Sequence, residues 1–189
     1  MRKVVLTFGL IAGAVMAAIM FAALPFQDQI GFNRGVIIGY TSMVLAFLMV
    51  FFGVKSYRDN VAGGHVTFGR AFKVGLLITL VATACYVLAW QVLYYGFMPD
   101  FLDKYTAYAL EQARQSGATE AELARQAKEM ADFGVMYQNP LVNIAFTAIE
   151  PLPVGLVFTL VTAGVFGRKR PPTGDHANEA LQDRTTRSA

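Results

Sequence analysis

The chain has 189 residues, of which 55% are hydrophobic and 15% charged, with a mean hydropathy of +0.44 and a formal charge of +3. Its apolar residues fall in long blocks rather than at the spacing of an amphipathic helix or strand, which is the signature of a polytopic membrane protein. The basic excess lies beside those blocks, where membrane topology explains it, so no nucleic-acid partner is expected; a lone cysteine, Cys85, excludes an internal disulfide, and His65 and His176 lack metal-ligand spacing.

Arg2 and Lys3 precede the first apolar run, 4–24. At about 21 residues it exceeds the apolar region of a signal peptide and matches a first spanning helix, since roughly 20 apolar residues at 1.5 Å each cross a ~30 Å hydrocarbon core. Gly9, Gly13 and Ala17 recur every fourth residue, a face on which a neighbouring helix can come close. Residues 25–34 read as a short turn, so the second run, 35–54, is expected to return antiparallel to the first.

Residues 55–73 form a basic loop with Lys55, Arg58, Arg70 and Lys73 around Gly63 and Gly64. These four side chains are candidate contacts for an anion or a lipid headgroup, with anchoring by the positive-inside bias as the simpler role. No Gly-Lys-Ser/Thr follows the glycines, which excludes a P-loop. The third run, 71–97, carries Gly75, Thr79 and Thr83 as a close-packing stripe and ends in Trp90, Tyr94 and Tyr95, rings suited to the membrane–water interface.

The polar segment 99–138 reads as an amphipathic helical hairpin. Phe101, Tyr105 and Tyr108 repeat at i, i+4, i+7 up to a break at Ser116-Gly117; Thr119 and Glu122 then form a capping-box pattern that opens a second helix with the stripe Leu123, Ala127, Met130. Both stripes are narrow and need a surface to cover.

The fourth run, 141–166, holds the one acidic residue inside an apolar block, Glu150, followed by Pro151 and Pro153. Asn143, Thr147 and Glu150 fall on one helix face at i, i+4, i+7, and the prolines predict a kink or break beside the carboxylate. A carboxylate at membrane depth costs a few kcal/mol on insertion scales and usually faces protein or water. Glu150, Asn143, Thr147, Pro151 and Pro153 are therefore the candidate intramembrane polar site. Two roles fit it: binding a cation or relaying a proton, or a structural role in which Glu150 accepts backbone donors of a half-helix or pairs with a hydroxyl or Arg of another helix. The structural role is favoured, because no second ionisable residue lies in another apolar run.

Lys and Arg favour one side: nine stand at the N-terminus, in the 55–73 loop and at Arg168-Lys169-Arg170, against Arg34 and four in the hairpin. Both termini are thus expected in the cytoplasm, the hairpin outside, and the polar tail 171–189 disordered.

Ser56-Tyr57-Arg58-Asp59, Gly63-Gly64, the run Thr67-Phe68-Gly69-Arg70-Ala71-Phe72 with Gly75, Tyr137-Gln138-Asn139-Pro140 and Glu150-Pro151-Leu152-Pro153-Val154-Gly155 stand in an order that resembles the bacterial membrane family called domain of unknown function 4199. The resemblance covers residues 2–170. It implies a small bacterial inner-membrane protein of four helices and brings no reaction, substrate or cofactor.

The resulting expectation is an all-α, polytopic membrane protein in which residues 1–170 form a four-helix transmembrane domain with an external hairpin. No zinc-protease, Cys-x-x-Cys, nucleophile-elbow or dinucleotide motif is present, so no enzyme, metal or cofactor is expected. The partners expected are the lipid bilayer and a second copy or another envelope protein. The alternative is an oligomeric ion- or proton-coupled transport component that uses Glu150.

Overall fold

A computed structural model describes residues 1–167, and among these the chain is helical throughout, with no strands. Seven α-helices follow one another: α1 (Arg2–Ala23), α2 (Gln27–Asn60), α3 (Phe68–Gly96), α4 (Phe101–Gln115), α5 (Glu120–Tyr137), α6 (Pro140–Ile149) and α7 (Pro151–Phe166). Three stretches of described residues are long and apolar enough to cross a membrane: Arg2–Asn60, Phe68–Gly96 and Pro140–Phe166. The basic triplet 168–170 and the tail 171–189 lie outside the described residues.

The 59-residue first stretch folds back on itself, because Phe8 of α1 packs on Gly53 of α2. The reversal is tighter than the expected turn at 25–34. A single 3-10 turn, Leu24–Phe26, with Pro25 in its first turn, suffices, and α2 begins already at Gln27. α2 absorbs the rest of the bend at Gly31, whose φ of 68° only glycine adopts without strain. The second helix is consequently 34 residues long, about 50 Å at 1.5 Å per residue, rather than a 20-residue span.

Packing partners give the direction of each helix. Gly9 and Gly13 lie against Val81 and Cys85, so α1 and α3 run parallel and approach closely; the small-residue face of α1 serves this contact. Thr79 meets Thr159, and Tyr86 meets Glu150, so α3 runs antiparallel to the α6–α7 column. In cross-section the columns form a rhombus in which α2 and α3 touch across the short diagonal while α1 and α7 occupy the far corners. Phe47, Met16, Met43, Ile78, Val50, Val54 and Val74 fill its centre and are fully buried. The outer faces carry Leu10, Ile37, Leu45, Leu88, Val157 and Val161, all exposed, as a surface turned to lipid requires.

α4 and α5 pack on each other beyond the α2 start and the α3 end. Thr119 and Glu122 make the reciprocal cap: the Thr119 N–H donates to Glu122 Oε2 at 2.8 Å, and the Glu122 N–H donates to Thr119 Oγ1 at 3.4 Å. The surface that the α4 stripe covers is Phe32, whose ring centre lies 5.9, 5.4 and 5.1 Å from those of Phe101, Tyr105 and Tyr108. Trp90 and Tyr94 are not interface rings free to face lipid headgroups. Phe101 stands edge-on to Trp90 at 5.1 Å and Tyr137 edge-on to Tyr94 at 5.4 Å, which covers both and leaves only Tyr95 exposed.

Candidate functional site

Asn139 opens α6 by accepting the Leu141 N–H on Oδ1 at 3.0 Å, and Pro140 occupies the first helical position, where a missing N–H costs nothing. The helical hydrogen-bond ladder then stops at Glu150 and restarts with Pro151, again at a first position. Glu150 itself keeps right-handed helical dihedrals, φ −66° and ψ −54°, so the break interrupts the ladder without turning the chain aside. Pro151 is buried and Pro153 exposed.

The three polar candidates separate at this break. Asn143 and Thr147 are buried against α3, whereas Glu150 is exposed. The Glu150 side chain makes no cap to the backbone of α7, one of the structural roles the sequence allowed. Its Oε2 instead accepts the phenol of Tyr86 at 2.8 Å across 64 residues of chain.

A seam of hydrogen bonds extends from there toward α5. Asn143 Oδ1 accepts Gln91 Nε2 at 2.7 Å and Thr147 Oγ1 at 3.3 Å; Tyr137 OH lies 3.5 Å from Thr147 Oγ1 and accepts Trp90 Nε1 at 3.0 Å. In the opposite direction Thr79 Oγ1 donates to the Gly155 carbonyl at 3.3 Å and lies 3.2 Å from Thr159 Oγ1. Two buried polar atoms among the described residues lack a partner, Asn143 Nδ2 and Thr83 Oγ1. Tyr86 and Gln91 are not singled out by the sequence, and Trp90 is expected there only as an interface ring. A signal exists: Thr79, Thr83, Tyr86 and Trp90 are spaced i, i+4, i+7, i+11, one face of α3, of which Thr79 and Thr83 alone belong to the expected packing stripe.

The basic loop is stitched rather than loose. Gly63 and Gly64, with φ of 67° and 86°, reverse the chain after α2, and the Gly64 N–H returns to the Arg58 carbonyl at 2.9 Å. Val66 pairs with Gly167 in one isolated parallel bridge. Of the four basic candidates, Lys55, Arg70 and Lys73 are exposed, and Arg58 is half-buried over Phe166. Arg58 Nε donates to Asp59 Oδ1 at 2.6 Å. The structure thus separates Arg58 from the other three and leaves them as a solvated charge field.

Among the described residues no cluster of three His, Cys, Asp or Glu side chains is placed to hold a metal ion. Helices of this length and apolarity, packed side by side with apolar outer faces, are those of the class of chain whose helices can cross a membrane. Within that class, the model of the family "Protein of unknown function (DUF4199)" matches residues 7–168, and the chain belongs to this family. Neither the curated proteins nor the solved structures contain a match to the chain.

Proposed function

We propose that the protein is a non-catalytic integral protein of the bacterial inner membrane, crossing it four times with both termini in the cytoplasm, and that it acts by contact with a protein or lipid partner. The α4–α5 pair then forms an external helical hairpin. The observation that carries this reading is a hollow of about 400 Å³ between α4 and α5, floored by Leu102, Tyr105, Met130 and Phe133 and edged by Gln126 and Glu129. Apolar floors with a polar margin are what docking sites for another chain offer. The centre of the bundle below, by contrast, is filled by fully buried side chains.

The test uses in-cell photo-crosslinking from position 106 or 126. Under this reading a discrete crosslinked species forms, disappears when residues 100–132 are deleted or Met130 is replaced by Asp, and survives Glu150→Gln. A species lost through Glu150→Gln alone would count against it.

A second reading has its own support. Glu150 is exposed on the bundle and Asn143 keeps an unpartnered amide, so an oligomer with a polar path along Asn143, Thr147 and Glu150 is the alternative. Proton or monovalent-cation flux into liposomes that is abolished by Glu150→Gln supports transport; unchanged flux in that variant rejects it.

A further inference from the structure

At the end of the bundle where α2 and α7 finish, a hollow of about 300 Å³ is lined by Arg58, Gly64, His65, Val66, Val165 and Phe166. Three independent elements build it: the last turn of α2, the reversing loop and the last turn of α7. The Val66–Gly167 bridge fixes the loop to α7, and the Gly64-to-Arg58 backbone bond fixes it to α2, so its walls do not depend on a ligand to hold them.

Arg58 is pre-set in this hollow. Its Cζ lies 4.7 Å from the centre of the Phe166 ring, and its Nε donates to Asp59 Oδ1 at 2.6 Å. Those two contacts hold the guanidinium and engage its Nε; among the described residues its terminal nitrogens make no other polar contact. A guanidinium held in place with its terminal nitrogens unengaged suits bidentate binding of a phosphate, at little further entropic cost. His65, exposed and also lining the hollow, offers a ring N–H donor. Asp59 offsets the charge of Arg58, while Lys55 stands one turn back on α2, exposed.

The hollow does not close on its ligand. Val165 lines it and is also exposed, and Val157 and Val161 continue from it at i−8 and i−4 as exposed residues on the outer face of α7. A phosphate seated on Arg58 therefore has an apolar track of about 12 Å, eight residues at 1.5 Å, leading away along the lipid-facing side. That combination fits an amphiphile rather than a soluble anion.

We propose that Arg58 and His65 bind the phosphate of an anionic phospholipid, whose acyl chain lies along Val165, Val161 and Val157. The site rests on the chain lying in a bilayer, and it stands whether or not the α4–α5 hollow has a partner.

Native mass spectrometry of the full-length protein in detergent, with phosphatidylglycerol, phosphatidylcholine or inorganic phosphate added, tests it. One phosphatidylglycerol is expected to bind, about tenfold more tightly than phosphatidylcholine. Arg58→Lys and His65→Ala should each weaken it about tenfold, the loss of one charge-assisted hydrogen bond, and Arg70→Ala and Lys73→Ala less than about twofold. His65 is exposed and outside every helix, so its variant reads the site even if Arg58→Lys impairs folding. Equal weakening by all four substitutions would reduce the site to a diffuse charge field and overturn the proposal. Equal binding of the two lipids, or displacement of phosphatidylglycerol by millimolar inorganic phosphate, would overturn it as well.

Discussion

The phenol of Tyr86 donates to the carboxylate of Glu150 at 2.8 Å, linking the middle of α3 to the point where α6 gives way to α7. This bond sits between the Asn143 cluster toward α5 and the Thr79–Thr159 pair toward the loop end, and it makes a residue that composition marks as costly into part of the helix–helix contact. Tyr86→Phe leaves the carboxylate without its donor and should destabilise the protein by about 1.5–3 kcal/mol, while Glu150→Gln, which keeps an acceptor, should cost about 1 kcal/mol. Unfolding in detergent for both single variants and the double variant gives the coupling energy. Strict additivity would mean that the bond carries no energy.

Gly155 sits where α7 touches α3 and α2. A methyl group added there would lie well inside contact distance of Thr79 and of the Phe47 ring. Gly155→Val is expected to cost about 1–3 kcal/mol or more through overpacking. Gly35, on the open face of α2, has nothing within 4 Å of the same position, so Gly35→Val should leave the melting temperature of the protein nearly unchanged. Comparable losses in both variants would contradict the packing.

Asn143 accepts two donors, from Gln91 and Thr147, on one oxygen. Asn143→Ala strands both at a fully buried position and should lower stability by about 1–3 kcal/mol. Adding Gln91→Leu to that variant should recover part of the loss, because a half-buried donor without an acceptor is then removed. Thermal unfolding that shows no recovery would place the energy in packing instead.

Phe32 holds α4 to the bundle through three ring contacts. Phe32→Ala should release the α4–α5 pair while the apolar helices stay assembled, at about 0.5–1.5 kcal/mol for each aromatic pair lost. The reading is limited proteolysis at the exposed Ser116-Gly117 turn, expected to accelerate severalfold; an unchanged cleavage rate would show that the other contacts of the pair, Phe101 against Trp90 among them, position it without Phe32.

The capping box of α5 gives a pH dependence with a definite sign. The backbone N–H of Thr119 first, and its hydroxyl second, hold the Glu122 carboxyl below its ordinary value. A carboxyl whose pKa falls on folding stabilises the helix above the unfolded value, about 4.3, and loses that contribution as pH drops through the lowered folded value. The first turn of α5 is therefore fully capped at neutral pH and frays on acidification below about pH 4. Amide exchange at Glu122 and Leu123, corrected for intrinsic rates, should report this fraying, and Glu122→Gln should flatten the profile.

The sequence alone determined what local chemistry determines. Long apolar blocks can only become helices in a bilayer, since every backbone N–H and C=O must bond within its own segment. Thr119 and Glu122 cap a helix wherever it packs, and Asn139-Pro140 and Pro151 mark helix starts because proline lacks a donor that the first turn does not need. The stripe Phe101, Tyr105, Tyr108 announced that α4 would cover something. Tertiary structure decided what: Phe32, brought within reach by the Gly31 kink that the sequence reading took for loop. It likewise decided that Glu150 bonds Tyr86, that Trp90 and Tyr94 are covered by the α4–α5 pair, and that Arg58 leaves the basic group to lie over Phe166. Each of these pairs joins residues about 50 to 110 positions apart or belongs to different helices, and their meeting depends on the relative rotation and height of packed columns. Periodicity gives the face of a helix that is buried; only the assembled rhombus fixes which neighbour fills it.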